Sequence, residues 1–485
     1  MKSQFDERNL SMVMDLYEMT MANGYFLSHE DDETATFDVF YRNNPDDAGF
    51  AVFAGLDQIL DYLERMHFDR EDIDYLRSLQ IYDEAFLEWL AGFRFRGTVY
   101  AIPEGTIMYP NEPILTIEAP LVDAQLIETA VLAQINHQSL IATKTQRIVR
   151  SARGRSVADF GARRAHNMDA AVYGARAAYI GGAASTATVL AGQMFGIPVS
   201  GTMAHSWVMC HENEYAAFAR FAELYPDNCI LLVDTYDVLE SGIPNAIRVA
   251  KEVLAPMSKR LKGIRLDSGD LAWLSKEARR MLDEAGLNDC MISASNSLDE
   301  FTIRSILDQG GCFDSFGVGE RLITAKSEPV FGAVYKLAAI NNGQVCRPVI
   351  KISETFAKIT NPGRKRLWRV YNAEGIAIAD LITMADETPD LSNNDYRFID
   401  PQKPWRQQYF RDCTIKELQQ EVMRDGKRLI PSPSLEEVRA YVKNQLAHEI
   451  WPAEQRFENP HIHFLDMSPD YYEMKMELLK AEERG

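Results

Sequence analysis

A succession of short apolar runs, each ending abruptly in polar or glycine residues, constrains the fold of this chain more than any other feature. Ser156-Val157-Ala158 runs into Asp159-Phe160-Gly161-Ala162-Arg163-Arg164, Ile197-Pro198-Val199 into Gly201-Thr202-Met203-Ala204-His205, and Ile230-Leu231-Leu232-Val233 into Asp234-Thr235-Tyr236-Asp237. Gly263-Ile264-Arg265-Leu266 is followed by Asp267-Ser268-Gly269-Asp270, Met291-Ile292 by Ser293-Ala294-Ser295-Asn296, and Phe313-Asp314-Ser315-Phe316 by Gly317-Val318-Gly319-Glu320. Helical periodicity fills the intervals, as from Leu271 to Leu287, where Leu271, Leu274, Ala278, Met281, Leu282 and Ala285 share one face. Strand-loop-helix units recurring every 25 to 35 residues or so predict a parallel sheet or barrel, with its chemistry on the rim where the strands end.

His205 stands at one such strand-to-helix turn. An isolated histidine is more often a buried ring bonded to backbone than a reactive group, so its weight comes from the other strand ends. Arg147, Arg150, Arg153, Arg155, Arg163 and Arg164 crowd into a short stretch. Two readings of that cluster stay open: a solvated charged face, or a site for a phosphate-rich ligand.

The second reading gains force from the rest of the composition. A formal net charge of −20 repels nucleic acid and anionic membrane, so an anionic ligand must meet a local basic cluster. Cysteines at 210, 229, 290, 312, 346 and 413 show no CxxC spacing, which indicates neither a disulfide framework nor a structural zinc site and fits a reducing cytoplasm. Asp6, Glu7 and Arg8 stand where a signal peptide would need an apolar core, and no 18-residue apolar span follows, so a soluble cytoplasmic protein is expected.

Three segments are predicted. Residues 1–135 read as a β-rich α/β domain, with a helix over 9–27, alternation at Thr34–Tyr41 and Gly97–Ile102, and a long apolar helix from Asp123 to Arg150. Residues 136–345 carry the barrel. Residues 346–485 open with strands at Ile350–Ser353 and Trp368–Tyr371 around the basic turn Asn361-Pro362-Gly363-Arg364-Lys365, and continue into a polar extension with a helix at Leu435–His448.

Taken together, Asp15-Leu16-Tyr17-Glu18-Met19-Thr20, Asp159-Phe160-Gly161-Ala162-Arg163-Arg164-Ala165-His166, Gly201–Ser206, Asp234-Thr235-Tyr236-Asp237, Arg265–Leu271 and Gly332-Ala333-Val334-Tyr335-Lys336-Leu337 closely resemble the nicotinate phosphoribosyltransferase family over residues 9 to about 365. The resemblance implies a type II phosphoribosyltransferase fold: an irregular α/β barrel, an N-terminal α/β domain split in sequence and closed by the last segment, and a C-terminal extension. It implies a homodimer with shared active sites. It also implies a reaction of NAD salvage, in which nicotinate and 5-phosphoribosyl 1-diphosphate give nicotinate mononucleotide and pyrophosphate, with Mg²⁺ and coupled hydrolysis of ATP.

That chemistry builds positive charge on the ribose and negative charge on the departing diphosphate. On the resemblance, His205 is the phosphorylated histidine. Asp267 and Asp270 serve the ribose hydroxyls or Mg²⁺, although Asp-Ser-Gly-Asp also suits a helix cap. Arg163 and Arg265 face the diphosphate, and Arg265 with Thr202 holds the nicotinate carboxylate. Phe160 and the partner subunit's Tyr17 sandwich the pyridine ring. Ser295, Asn296, Gly317 and Gly319 cradle a phosphate through backbone amides, and Thr360 is carried over as a substrate contact. Ala187 stands where the similar nicotinamide-using enzymes carry an aspartate, so nicotinate is expected over nicotinamide. Glu320 departs from the family's small hydroxyl residue, which leaves only its backbone a role. A nicotinamide phosphoribosyltransferase is the alternative. A quinolinate phosphoribosyltransferase would be shorter, and a non-enzymatic metabolite-binding protein would have lost the histidine or the acids.

Overall fold

The computed structural model describes residues 8–29, 33–355, 358–391 and 396–482; Asp6 and Glu7 lie outside them. The chain divides into two compact units, one formed by Ile141–Pro329 and the other by Met1–Leu140 together with Val330–Gly485.

The first of these holds a six-stranded sheet in the order Ser185–Thr186, Ser156–Asp159, Ser315–Val318, Met291–Ala294, Gly263–Leu266, Ile230–Leu232. Every pairing is parallel, and a parallel bridge from Thr186 to Val199 extends one edge. The sheet curls as a half barrel. Parallel strands need crossovers, and helices such as Met168–Ile180, Glu214–Leu224, Leu271–Glu284 and Glu300–Asp308 supply them. Leu271–Glu284 buries Leu271, Ala272, Leu274, Ala278 and Leu282, an apolar face at helical spacing. Each of these helices starts on a side-chain cap. Asn167 accepts from Ala170 N–H at 2.7 Å, Asn213 from Ala216 at 2.9 Å, Asp270 from Trp273 at 3.0 Å and Asp299 from Thr302 at 2.7 Å. Such caps stabilise a helix by about 1 kcal/mol each. The last barrel strand starts at Ser315, later than the apolar run suggests, because the Phe313 carbonyl accepts from Arg155 Nε at 2.7 Å.

In the other unit, an antiparallel seven-stranded sheet runs in the order Cys346–Pro348, Val334–Asn341, Thr34–Phe40, Leu115–Pro120, Thr98–Ala101, Gln420–Arg424, Lys427–Arg428. Residues from both ends of the chain thus share one sheet. Val334–Asn341, counted with the barrel on sequence, pairs along its whole length with Thr34–Phe40. Ile350–Ser353 forms no strand; after Val349 N–H bonds to Ala338 the chain leaves the ladder, and the next strand is Lys365–Tyr371. That strand lies in a mixed six-stranded sheet with Ala377–Met384, Leu465–Met467, Arg397–Ile399, Gln407–Tyr409 and Thr414–Glu417. The N-terminal helix is shorter than the pattern, Leu16–Leu27, and opens on a capping box of Asp15 and Glu18. The long helix divides into Leu121–Gln125 and Glu128–Ser151. Among the described residues no helix is long and apolar enough to cross a membrane.

Candidate active site

At the ends of the parallel strands, polar side chains from separate loops converge in a linked series. Asp234 Oδ2, just past Ile230–Leu232, accepts from Asp267 N–H at 2.9 Å and from Ser268 Oγ at 2.6 Å, so one loop fixes the next. Ser295 Oγ then donates to Asp267 Oδ1, and Asp267 Oδ2 faces His205 Nε2 at 3.8 Å. The other ring nitrogen, Nδ1, lies 3.1 Å from Thr235 Oγ1. The imidazole is therefore held on one side and open on the other. Its side chain is 41% exposed and that of Asp267 33%, a degree of exposure that admits a ligand.

Beside this series, Arg265 donates from Nη1 to Thr202 Oγ1 and from Nη2 to the Met203 carbonyl at 3.2 Å. Those bonds tie the guanidinium to the turn that carries His205. Its Nε is buried without a hydrogen-bond partner. Burial disfavours its charged form and lowers its pKa, against the opposing pull of Asp267 and Asp234. A guanidinium held this way, with a donor to spare, suits a planar carboxylate or a phosphate.

The aromatic element is built by close packing. Phe160 N–H bonds to the Val318 carbonyl at 2.8 Å, and a Cβ on Gly317 would lie 2.4 Å from the Phe160 ring. One on Gly319 would stand 3.1 Å from the Phe160 carbonyl. Gly317 thus gives the ring its seat, and Gly319 lets the Phe160 backbone lie close. Asp159, almost fully buried, accepts from Gly161 N–H at 2.8 Å and Thr186 Oγ1 at 2.7 Å, fixing the loop on either side of Phe160. Burial raises its pKa, with those two bonds opposing. Ala187 follows directly, its N–H bonded to the Asp159 carbonyl at 2.8 Å and its side chain exposed.

Asn296 follows Ser295 with φ of 89°, a left-handed turn that points backbone away from the strand. Arg163 is exposed in the short turn Ala162–Arg164. Asp270 makes none of the contacts of this series and caps its helix. Glu320 pairs with Lys326 at 2.8 Å, and that lysine lowers its pKa. Tyr17 and Thr360 belong to the other unit. Tyr17 is 44% exposed at the start of its helix; Thr360 is buried, its hydroxyl accepting from Lys351 N–H at 2.9 Å. Asp159, Asp234 and Thr235 stand in the sequence motifs with no predicted role. Acid or hydroxyl residues directly after apolar runs were the available signal.

A curled parallel sheet with an acid, a histidine and an arginine together on its rim is the arrangement of a phosphoribosyltransferase of the α/β-barrel class. The chain matches the nicotinate phosphoribosyltransferase (NAPRTase) family over residues 155–393, with the family's N-terminal domain at 12–136 and C-terminal domain at 364–475. It is 44% identical over 477 residues to the nicotinate phosphoribosyltransferase of Bacillus subtilis (strain 168), covering 98% of this chain and 96% of that one. The crystal structure of human nicotinic acid phosphoribosyltransferase superposes with a TM-score of 0.84 at 28% identity, over 96% of this chain and 100% of that one. Nicotinate-nucleotide pyrophosphorylase from Pyrococcus furiosus shares the fold, with a TM-score of 0.65 at 24% identity over 91% and 99%. The chain belongs to the nicotinate phosphoribosyltransferase family.

Proposed function

We propose that the protein transfers the phosphoribosyl group of 5-phosphoribosyl 1-diphosphate to nicotinate, coupled to ATP hydrolysis, in NAD salvage. The pyridine nitrogen lone pair forms the bond to the anomeric carbon while the C–O bond to diphosphate breaks and its electrons leave with pyrophosphate. The carrying observation is the rim series of Thr235, His205, Asp267 and Ser295 beside the Thr202-anchored Arg265. Asp267 offsets positive charge developing on the ribose. Arg265 holds the nicotinate carboxylate and Phe160 stacks on the pyridine. Arg163 meets the diphosphate, and backbone amides from Ser295, Asn296, Gly317 and Gly319 hold phosphate.

His205 accepts the γ-phosphoryl group of ATP, forming a P–N bond as the P–O bond to ADP breaks; water later cleaves the phosphohistidine to phosphate. Thr235 keeps the ring oriented for both steps. Mg²⁺ fits the oxygen-only donors present, since Asp234 Oδ1 is buried without a hydrogen-bond partner and Asp267 Oδ2 is half open. Among the described residues no group of three side chains could hold a metal alone, so diphosphate and water would complete its shell. Asp270, the other candidate ligand, offers the oxygen that does not cap Trp273. A Mg²⁺ ion held by these oxygens would supply positive charge beside the departing diphosphate.

Product analysis with nicotinate, 5-phosphoribosyl 1-diphosphate and Mg²⁺, with and without ATP, tests this reading; absence of nicotinate mononucleotide under both conditions overturns it. We further place Tyr17 over the pyridine ring of the partner subunit's site in a homodimer. Mixing inactive Tyr17→Ala with His205→Ala, which lacks stimulation by ATP, should then regenerate sites that ATP stimulates. Failure to complement, with subunit exchange confirmed, removes Tyr17 from a shared site.

A further inference from the structure

Two of the sequence motifs, at 15–20 and 332–337, give the proposed reaction only Tyr17, yet both converge in one unit on the start of the helix Glu128–Ser151. From the first motif, Glu18 is fully buried. Its Oε1 accepts from Asp15 N–H at 3.2 Å, from Thr129 N–H at 3.2 Å and from the Thr129 hydroxyl. The first turn of the helix Leu16–Leu27 is thereby clasped to the first turn of the long helix. From the second motif, Ala333 N–H bonds to Asn136 Oδ1 at 2.8 Å, and the Tyr335 hydroxyl donates to the Ala124 carbonyl at 2.8 Å. Lys336 Nζ stands 3.8 Å from Glu128 Oε1.

The outcome is an exposed ring on a fixed base. Glu18, Met19 and Ala22 face inward, while Tyr17 is 44% exposed. The Glu128 carboxylate, directly before Thr129, lies beside the Tyr17 hydroxyl; burial and then this carboxylate raise the pKa of the phenol. A tyrosine on a surface ordinarily samples several rotamers, and stacking on a ligand removes that freedom at a cost to affinity. A ring held both at its backbone and at its hydroxyl has less freedom to lose.

Given the placement of Tyr17 proposed above, on which the inference rests, we propose that Thr129 and Glu128 are positioning residues for nicotinate. Thr129 clasps Glu18 and Glu128 holds the Tyr17 hydroxyl, so that the ring meets the pyridine in the partner subunit's site already oriented. Steady-state kinetics and melting curves of the full-length protein, with ATP saturating, test it. Thr129→Val, which keeps the N–H and loses the hydroxyl, and Glu128→Ala should each raise KM for nicotinate at least about fivefold, with kcat and the KM for 5-phosphoribosyl 1-diphosphate within about twofold of the parent. Thr129→Ser and Glu128→Gln, which keep the hydroxyl and an acceptor oxygen, should restore the KM for nicotinate to within about twofold. In Tyr17→Phe, which keeps the ring and loses the hydroxyl, Glu128→Ala should raise that KM no further.

An unchanged KM for nicotinate in either Thr129→Val or Glu128→Ala would overturn the proposal. So would additive effects of Tyr17→Phe and Glu128→Ala, or a lowered Tm with kcat and both KM values altered alike, which would leave these residues a structural role only. Any of these results, with complementation between Tyr17→Ala and His205→Ala intact, removes the positioning roles and leaves Tyr17 in the shared site. Failure of that complementation removes Tyr17 from the shared site and the positioning roles with it.

Discussion

Each unit of this protein contains a polar cluster centred on a histidine, and the two are built to opposite specifications. Around His463, fully packed, Nδ1 meets Glu454 at 3.0 Å and Nε2 faces Asp380 at 3.4 Å. The ring stacks on Tyr109 at 3.7 Å, and Arg369 donates to both oxygens of Asp380 at 2.8 and 2.7 Å. Arg369 also reaches the Ile107 carbonyl at 2.9 Å, while Tyr109 donates to Glu454 at 2.6 Å. Acids and cations there face one another away from water, and His463 Nε2 and Glu112 Oε1 are the cluster's buried atoms without a hydrogen bond. Around His205 the ring has one hydroxyl partner, an acid at 3.8 Å and two-fifths of its surface open. A cluster whose charges face one another out of reach of water holds a fold together, whereas one open to solvent can take its remaining partners from a ligand.

Replacing each histidine or its anchor should therefore fail in different ways. His205→Ala is expected to abolish the acid-labile phosphoenzyme formed from ATP and all stimulation by ATP, leaving slow ATP-independent transfer, with stability changed by less than about 0.5 kcal/mol. Labelling from radioactive ATP followed by unfolding curves measures both. Label persisting on histidine would move the role to another residue, with His166 next to be tried. A large loss of stability would erase the contrast between the clusters.

Arg369→Ala is expected to do the reverse. It strands Asp380 without its bidentate partner in a site closed to water, a loss of about 3–5 kcal/mol for a broken buried pair. Denaturant unfolding should show that loss, while any enzyme that remains folded keeps its ratio of ATP-stimulated to basal turnover. An unfolding midpoint within about 0.5 kcal/mol of the parent would mean that the network is not what holds this unit.

The contrast also marks how far the sequence could be read. Barrel strands were legible because a βα unit is local: an apolar run, a polar end and a capped helix follow one another within a few residues, as at Leu266, Asp267 and Asp270. The sheet of the other unit was not, since a period of two in Thr34–Phe40 says which face is buried but not that the partner is Val334–Asn341. The same ambiguity made Ile350–Ser353 look like a strand. At the site, His205, Asp267, Arg265 and Thr202 stood out as residue types at strand ends. Their contacts did not, because Thr235 follows the edge strand Ile230–Leu232 while His205 follows Val199, which bridges to the opposite edge strand Ser185–Thr186, and the two meet only once the sheet has curled. The His463 cluster was invisible: its members lie between residues 107 and 463 and share no motif.

Specificity offers a finer comparison on the open side. Ala187 is exposed beside the Phe160 loop, and Ala187→Asp would put a carboxylate there. Repulsion of the nicotinate carboxylate should lower kcat/KM for nicotinate by about 10- to 100-fold, or roughly 1.4–2.7 kcal/mol. Nicotinamide should gain relative to nicotinate, since its amide can donate to the new acid. Comparable wild-type turnover of the two substrates would remove the specificity itself, whereas an unchanged preference in the variant would remove only this cause of it.

The smallest effect concerns pH and belongs to the sealed cluster. Burial alone would lower the His463 pKa, but Asp380 and Glu454 outweigh it and the net shift is upward. Burial raises Glu112 as well, reinforced by neighbouring Asp380 and opposed by Arg369. Both groups hold protons more tightly when folded than unfolded, so the stability they contribute is fully present below the unfolded pKa of each and is lost as pH rises through the folded one. For His463 that loss begins above about 6.5, the ordinary histidine value. Unfolding free energy measured from pH 6 to 9 should therefore decline with rising pH, and more steeply than in His463→Gln, which has no proton to release. Parallel slopes for the two proteins would show that His463 binds its proton no more tightly folded than unfolded, and that Asp380 and Glu454 do not hold the ring charged.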